Sequence, residues 1–190
     1  TLNLTPFAAF QTFKSAYNQR FPGNLFPRDF FHNVDGMWLD EDLNSITFSD
    51  VENLTEKLLY PVVLKPNRDS FGGKDILFVK DNQELLELIK KRKDFLVQET
   101  IKQHHFFEEF NHHGLNTVRV YVYRSVNDNK WHIINTVLRM GVGGSLDNET
   151  AGGILTLITE NGYMNGFALD KYGTKYFSHP DTGRKFNQLV

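Results

Sequence analysis

Lys65 closes the apolar run Val62-Val63-Leu64, and the segment after it, Pro66-Asn67-Arg68-Asp69-Ser70-Phe71-Gly72-Gly73-Lys74, is polar and carries a glycine pair. A polyphosphate needs a point cation on one side and unobstructed backbone N–H donors on the other, and this segment offers both. It is not a Walker loop, because the lysine precedes the glycines and no helix follows directly. On local pattern alone, the same residues also fit an ordinary strand end and a glycine hairpin. A second candidate is Phe95-Leu96-Val97-Gln98-Glu99-Thr100-Ile101, where an apolar strand turns polar. Such a strand end can offer its main chain to a purine edge and its amide or carboxylate to polar groups, or it can simply be solvated.

Two arginines form a third candidate. Arg119 lies in the alternating run Val118 to Tyr123, on the side of Tyr121 and Tyr123, and Arg139 follows Val137-Leu138. A guanidinium projecting from a sheet suits bidentate capture of phosphate or carboxylate, although a solvated strand face carries arginine equally well. The loop 141–153 supplies a fourth, with Asp147-Asn148 among Gly141, Gly143, Gly144, Gly152 and Gly153. So many glycines fit tight turns, a close approach of backbone to ligand, or a flexible surface loop. His104-His105 and His112-His113 flank Glu108 and Glu109, but the zinc order His-Glu-x-x-His is absent. Phe106, Phe107 and Phe110 interleave there as core residues, so no metal centre is assigned to that stretch.

Composition narrows the classes. The chain has 190 residues with 40% hydrophobic and 23% charged side chains, ordinary for a globular protein of one domain or two small lobes. A formal net charge of −2 gives no basic field for nucleic acid. With no cysteine, disulfides, zinc-thiolate sites and cysteine nucleophiles are excluded. No apolar stretch reaches the ~20 residues of a membrane span, so a cytoplasmic protein is the expectation. The chain begins at Thr1, as a piece of a longer protein would.

The elements that must position these residues are set by periodicity. Phe7, Phe10, Phe13, Ala16 and Tyr17 predict one amphipathic helix over 5–20. Ser49-Asp50-Val51-Glu52 and Asp81-Asn82-Gln83-Glu84 have the form of capping boxes that open two more helices, the second ending in Lys90-Lys91-Arg92-Lys93. Strands are predicted at 62–64, 76–79 and 95–97. From Asn116 onward the pattern is β, with turns at Asn127-Asp128-Asn129 and Asn161-Gly162 and further strand over 163–178. The fold class is therefore α+β, divided into 1–60 as a partial N-terminal segment, 61–105 as a small lobe with the glycine loop, and 106–190 as a larger antiparallel-sheet lobe.

Five separated segments in this order, VVLKPNRDSFGGKDI, LVQETIKQH, LNTVRVYVY, VLRMGVGGSLDNETAGGI and FSHPDTGRKF, resemble the ATP-grasp superfamily, most closely its sugar-transfer-associated branch. FPRDFFHNVDGMW resembles the family's segment ahead of the phosphate loop, which puts Lys14 where the family keeps its first nucleotide-binding lysine. The resemblance implies an ATP-grasp fold with an ATP cleft between two α+β lobes. It gives Lys14, Lys65, Ser70, Gly72, Gly73 and Lys74 to the phosphates, and Gln98, Glu99 and Ile101 to the adenine pocket. Arg119, Arg139 and Asn148 would act on the phosphates and the acyl substrate. The implied reaction uses ATP and Mg²⁺ to activate a small-molecule or saccharide-linked carboxylate as an acyl phosphate for transfer to an amine, in polysaccharide or cell-surface biosynthesis. A sugar or hydroxyl kinase and a degenerate, non-catalytic nucleotide-binding module are the alternatives. The family keeps its metal ligands near the C-terminus, and only Asn187-Gln188-Leu189-Val190 comes after Phe186 here, so the C-terminal part of the fold is expected to be truncated. Phe71 is bulky for the phosphate loop, and Asp75 is expected to point away from it.

Overall fold

A computed structural model describes residues 12–21, 23–68 and 75–187. The chain forms two compact units, Thr1–Ile101 and Lys102–Val190. Both combine short helices with an antiparallel sheet, so the fold is α+β as expected.

The first unit contains β1 (Asp29–Val34), β2 (Met37–Asp40), β3 (Val62–Pro66), β4 (Leu77–Val79) and β5 (Phe95–Glu99), in the order β2-β1-β5-β3-β4. The strands of 29–40 thus share one sheet with those of 62–99. Two helices, α2 (Phe48–Thr55) and α3 (Asn82–Lys91), close one apolar core with it. Phe31, Val62, Leu64, Phe95 and Val97 from the sheet meet Val51 of α2 and Leu85 and Ile89 of α3. Burial of this set is the main stabilising term of the unit.

The cap of α2 corrects the sequence expectation. The capping residue is Thr47, not Ser49: its hydroxyl accepts the Asp50 N–H at 3.2 Å, and the Asp50 carboxylate accepts the Thr47 N–H at 2.9 Å. Phe48 packs on Trp38, with ring centroids 5.4 Å apart, which draws it into the first turn. Glu52, the partner Ser49 would need, is instead 3.9 Å from Lys90. Asp81 caps α3 by accepting the Glu84 N–H at 2.9 Å, while the Glu84 carboxylate reaches back one residue further, to the Lys80 N–H.

The expected helix over 5–20 is also shorter, though residues 5–11 lie outside the described residues. Its described part consists of a 3₁₀ turn, Lys14–Ala16, and one α turn, α1 (Tyr17–Arg20). The reason is Asn67: its carbonyl takes the Lys14 N–H at 3.0 Å and its side-chain oxygen takes the Ser15 N–H at 2.9 Å. Those donors are tied to the end of β3 instead of to a preceding helical turn.

The second unit holds α4 (His105–Glu108) and the strands β6 (Thr117–Arg124), β7 (Trp131–Met140), β8 (Ile154–Ile158), β9 (Ala168–Leu169) and β10 (Lys175–Tyr176), ordered β10-β9-β8-β7-β6. Strand content over 163–178 is less than expected, because Gly166 and Gly173, at φ 71° and 82°, turn the chain. The core joins Leu138, Met140, Ile154 and Ala168 to Phe110, Met164 and Phe186. Phe186 stacks on Phe110 with centroids 5.9 Å apart. Buried His179 donates from Nε2 to the Gly141 carbonyl at 2.9 Å, pinning the glycine loop to the C-terminal turn. Among the described residues, no helix is long and apolar enough to cross a membrane.

The cap and the buried histidine can each be tested. Thr47→Ala should lower stability to urea by about 1 kcal/mol, with Ser49→Ala costing far less; equal losses would contradict the cap. Burial lowers the His179 pKa, so its contribution is complete above the unfolded histidine value of about 6.5 and is lost as pH falls through the folded value. His179→Gln should therefore lessen the decline of Tm between about pH 6.5 and 5, and an unchanged decline would contradict this.

Candidate functional site

The face of the first sheet opposite its apolar core carries polar side chains beside Leu96 and Val63, and one irregularity adds a carboxylate to it. Asp29 pairs with Gln98, yet Phe31 already pairs with Val97 and His32 with Leu96, so Phe30 is an extra residue in β1. Directly opposed residues in an antiparallel pair share a face. The bulge therefore brings Asp29 onto the face of His32, which simple alternation would deny it. On β3, Val63 opposes Gln98 and Lys65 opposes Leu96, so Lys65 belongs to this face as well. Asp29, His32, Lys65 and Gln98 then lie on one side of the sheet, and Phe31, Leu64 and Val97 on the other.

The 3₁₀ turn and α1 bring further polar groups. Asn18 donates to Asp29 Oδ2 at 2.8 Å, and Gln98 donates to Asp29 Oδ1. Asp29, His32 and Gln98 are 2%, 0% and 4% exposed. His32 Nε2 stands 4.0 Å from Asp29 Oδ2, and among the described residues neither ring nitrogen has a hydrogen-bond partner. The Ser15 hydroxyl is buried without a partner too. Lys14 reaches the Asn67 carbonyl from Nζ at 3.4 Å. Burial lowers the Lys65 pKa; Asp29 pulls it back up, and the nearby Lys14 charge lowers it again. Burial also keeps His32 below the usual histidine range, against the pull of Asp29 and Asp40. The Lys14 and Lys65 charges lie close enough to repel each other, an arrangement that suits an anionic ligand.

Lys65 and Gln98 share one face of the first sheet, and Lys14 on the 3₁₀ turn lies beside Lys65. Ser70, Gly72, Gly73 and Lys74, with Phe71, lie outside the described residues. Asp75 is exposed and takes a positive φ of 61°. The Gln98 amide is committed to Asp29 and to the Pro27 carbonyl. Glu99 opposes Val62, on the other face, and accepts the Arg28 N–H at 2.8 Å. Ile101, just past β5, is 47% exposed. Asp29, Asn18, His32 and Asn67 were not among the residues expected from sequence; no period in FPRDFFHNV marks the bulge that aligns them.

In the second unit, Thr117 opposes Arg139 and Arg119 opposes Val137, so both arginines share the face away from the core. Arg119 is exposed. Arg139 pairs with Asp147 at 3.3 Å, and Asp147 also accepts the Thr117 hydroxyl. Asn148 caps a 3₁₀ turn, Glu149–Ala151, through its carbonyl, which accepts from Ala151 and Gly153. Two of the loop's glycines have steric reasons: a Cβ on Gly153 would sit 2.5 Å from the Asp147 carbonyl oxygen, and one on Gly141 would sit 2.9 Å from that of Leu146. Glu109 is taken by Arg184 at 2.6 Å. Among the described residues, no group of three or more His, Asp or Glu side chains could hold a metal ion, so they do not by themselves fit Mg²⁺.

Comparison with known proteins finds a family over part of the chain. A family model for sugar-transfer associated ATP-grasp proteins matches residues 83–190, from α3 onward. No curated protein and no solved structure gives a significant match. The matched segment is more than half of the 190 residues and contains β5, both arginines and the glycine loop. On that ground the chain belongs to the sugar-transfer associated ATP-grasp family.

Proposed function

We propose that the protein binds ATP and acts as an ATP-dependent ligase. The observation that carries this reading is the juxtaposition of Lys14, on the 3₁₀ turn, with Lys65 on β3, the strand that the glycine-bearing segment 69–74 follows in sequence. Two cations and a glycine-bearing segment are the donor set a triphosphate requires. Family membership supports the nucleotide and the ligase class.

In this reading Lys14, Lys65 and the loop residues Ser70, Gly72, Gly73 and Lys74 hold the phosphates. Gln98, Glu99 and Ile101 serve the adenine side, where Ile101 offers exposed apolar surface for the base. Arg119, Arg139 and Asn148 orient the acyl substrate and the transferring phosphoryl group, with Arg139 held in place by Asp147. Positioned cations stabilise charge that spreads over the phosphoryl oxygens during transfer. A carboxylate oxygen takes the γ-phosphoryl group and ADP leaves; an amine then displaces phosphate and forms the amide. The acid belongs to a saccharide-linked or cell-surface substrate. Mg²⁺ supplies charge neutralisation of the phosphates when bound, and the described residues offer no set of ligands for it.

Isothermal titration with ATP in the presence of Mg²⁺ tests the site. Lys65→Ala should weaken binding by about tenfold or more, the scale of one lost charge-assisted contact. Undiminished affinity would remove the phosphate assignment. Because the Lys65 pKa is lowered, wild-type affinity should begin to fall at a pH below the ordinary lysine range as the ammonium loses its proton. A flat profile up to that range would contradict a charged Lys65 in the site. Product analysis checks the chemistry: a ligase yields ADP, phosphate and an amide, whereas ADP with a phosphorylated sugar would assign a kinase.

A further inference from the structure

Resting on the substrate reading just proposed, we infer that the β6–β7 hairpin holds the saccharide part of that substrate, a glycan bearing a carboxylate, on the face shared by Arg119, Tyr121 and Tyr123. Residues two apart on a regular strand share a face, about 7 Å from one to the next. β6 is regular here: Tyr121 opposes Asn135 and Val122 opposes Ile133, so the extra residue is Ile134, in β7. Asn135 therefore stands across from Tyr121 on this face, and His132 stands across from Tyr123. Arg139, opposite Thr117, is on the same side of the sheet. The row thus continues from the arginine that the proposed reaction sets at the acyl substrate.

A sugar ring presents a face of C–H groups, which packs on an aromatic ring, and a rim of hydroxyls, which needs hydrogen-bonding partners. Tyr121 and Tyr123 are 43% and 47% exposed, apolar rings with polar tips open to solvent. Asn135 and Arg119 are exposed beside them, and among the described residues no hydrogen bond or ion pair takes either side chain. The row is also built in advance. His132 donates from Nε2 to the Asp128 carboxylate at 2.9 Å, and its ring stacks on Tyr123 with centroids 5.2 Å apart. A ring already held loses little freedom when a ligand arrives. Charge then selects the sugar: Arg139 is paired with Asp147, whereas the Arg119 guanidinium is unmatched and fits a carboxylate. A single-stranded nucleic acid would use the same rings, but it also needs a basic track along its phosphates, and one free arginine is no such track.

The test is a set of NMR titrations with neither ATP nor Mg²⁺ present. The probes are two acidic sugars, a galacturonate and a hyaluronan tetrasaccharide, with maltotetraose as the neutral comparison and a dT oligonucleotide as the competing class. At least one acidic tetrasaccharide should bind and shift the ring signals of Tyr121 and Tyr123, and maltotetraose should bind about tenfold more weakly. Tyr121→Ala should weaken the acidic glycan about tenfold, the scale of one aromatic contact. Arg119→Gln should erase the preference for acidic over neutral sugar. Trp131 opposes Arg124 on the other face of the hairpin, so Trp131→Ala should leave binding unchanged. The proposal is overturned if neither acidic sugar binds, if only Trp131→Ala loses binding, or if the oligonucleotide binds more tightly than both. The ring signals are read in the wild type, so a variant that does not fold still leaves the test decided. A protein that binds ATP but no glycan refutes this subsite alone, and one that binds glycan but no ATP refutes the function proposed above.

Discussion

A lysine held half-buried on a sheet face must find its counter-charge on that same face, because the other side of the sheet is filled with apolar side chains. On the face that carries Lys65 the buried carboxylate is Asp29, and it reaches that face only because β1 carries one extra residue at Phe30. Much of the first unit depends on that placement. Asn18 and Gln98 turn their amides to the carboxylate, α1 is held against the sheet by the first of these, and Asn67 ties the 3₁₀ turn to the end of β3. The apolar face is free to close on α2 and α3 with no charge to accommodate.

The second unit solves the same problem with a different pair. Arg139 is mostly buried beside β8, and Asp147 comes back from the glycine loop to meet it, with Thr117 satisfying the remaining carboxylate oxygen. The loop can return so closely because Gly141 and Gly153 leave no side chain in the way. Those two glycines are therefore needed by the fold itself, whatever ligand approaches Arg119. His179, bonded to the Gly141 carbonyl, fixes the other side of the same turn.

The elements with strong period were legible in the sequence. Val62–Pro66, Phe95–Glu99, the helix opened by Asp81 and the β-rich second half stand where apolar alternation and capping residues put them. The cap of α2 was misplaced by two residues because Phe48 packs on Trp38, a contact between segments that no local pattern reports. Lys14, Lys65 and Gln98 were legible as residue types. The bulge that brings Asp29 to their face was not, since it reverses the side on which every residue before it falls. Asp29 and His32, three apart, read as opposite faces and are neighbours. The helix predicted from residue 5 gave way, over its described part, to a short turn for the same kind of reason: a distant asparagine takes its first donors.

The claim that Lys14 and Lys65 grip one ligand is most directly tested by a double-mutant cycle. Binding of ATP with Mg²⁺ is measured calorimetrically for wild type, Lys14→Met, Lys65→Met and the double variant. Two cations on the same polyphosphate are coupled, so each single change should weaken binding and the double loss should differ from the sum of the singles. Wild-type affinity in either single variant, or strictly additive losses, would contradict a shared phosphate site.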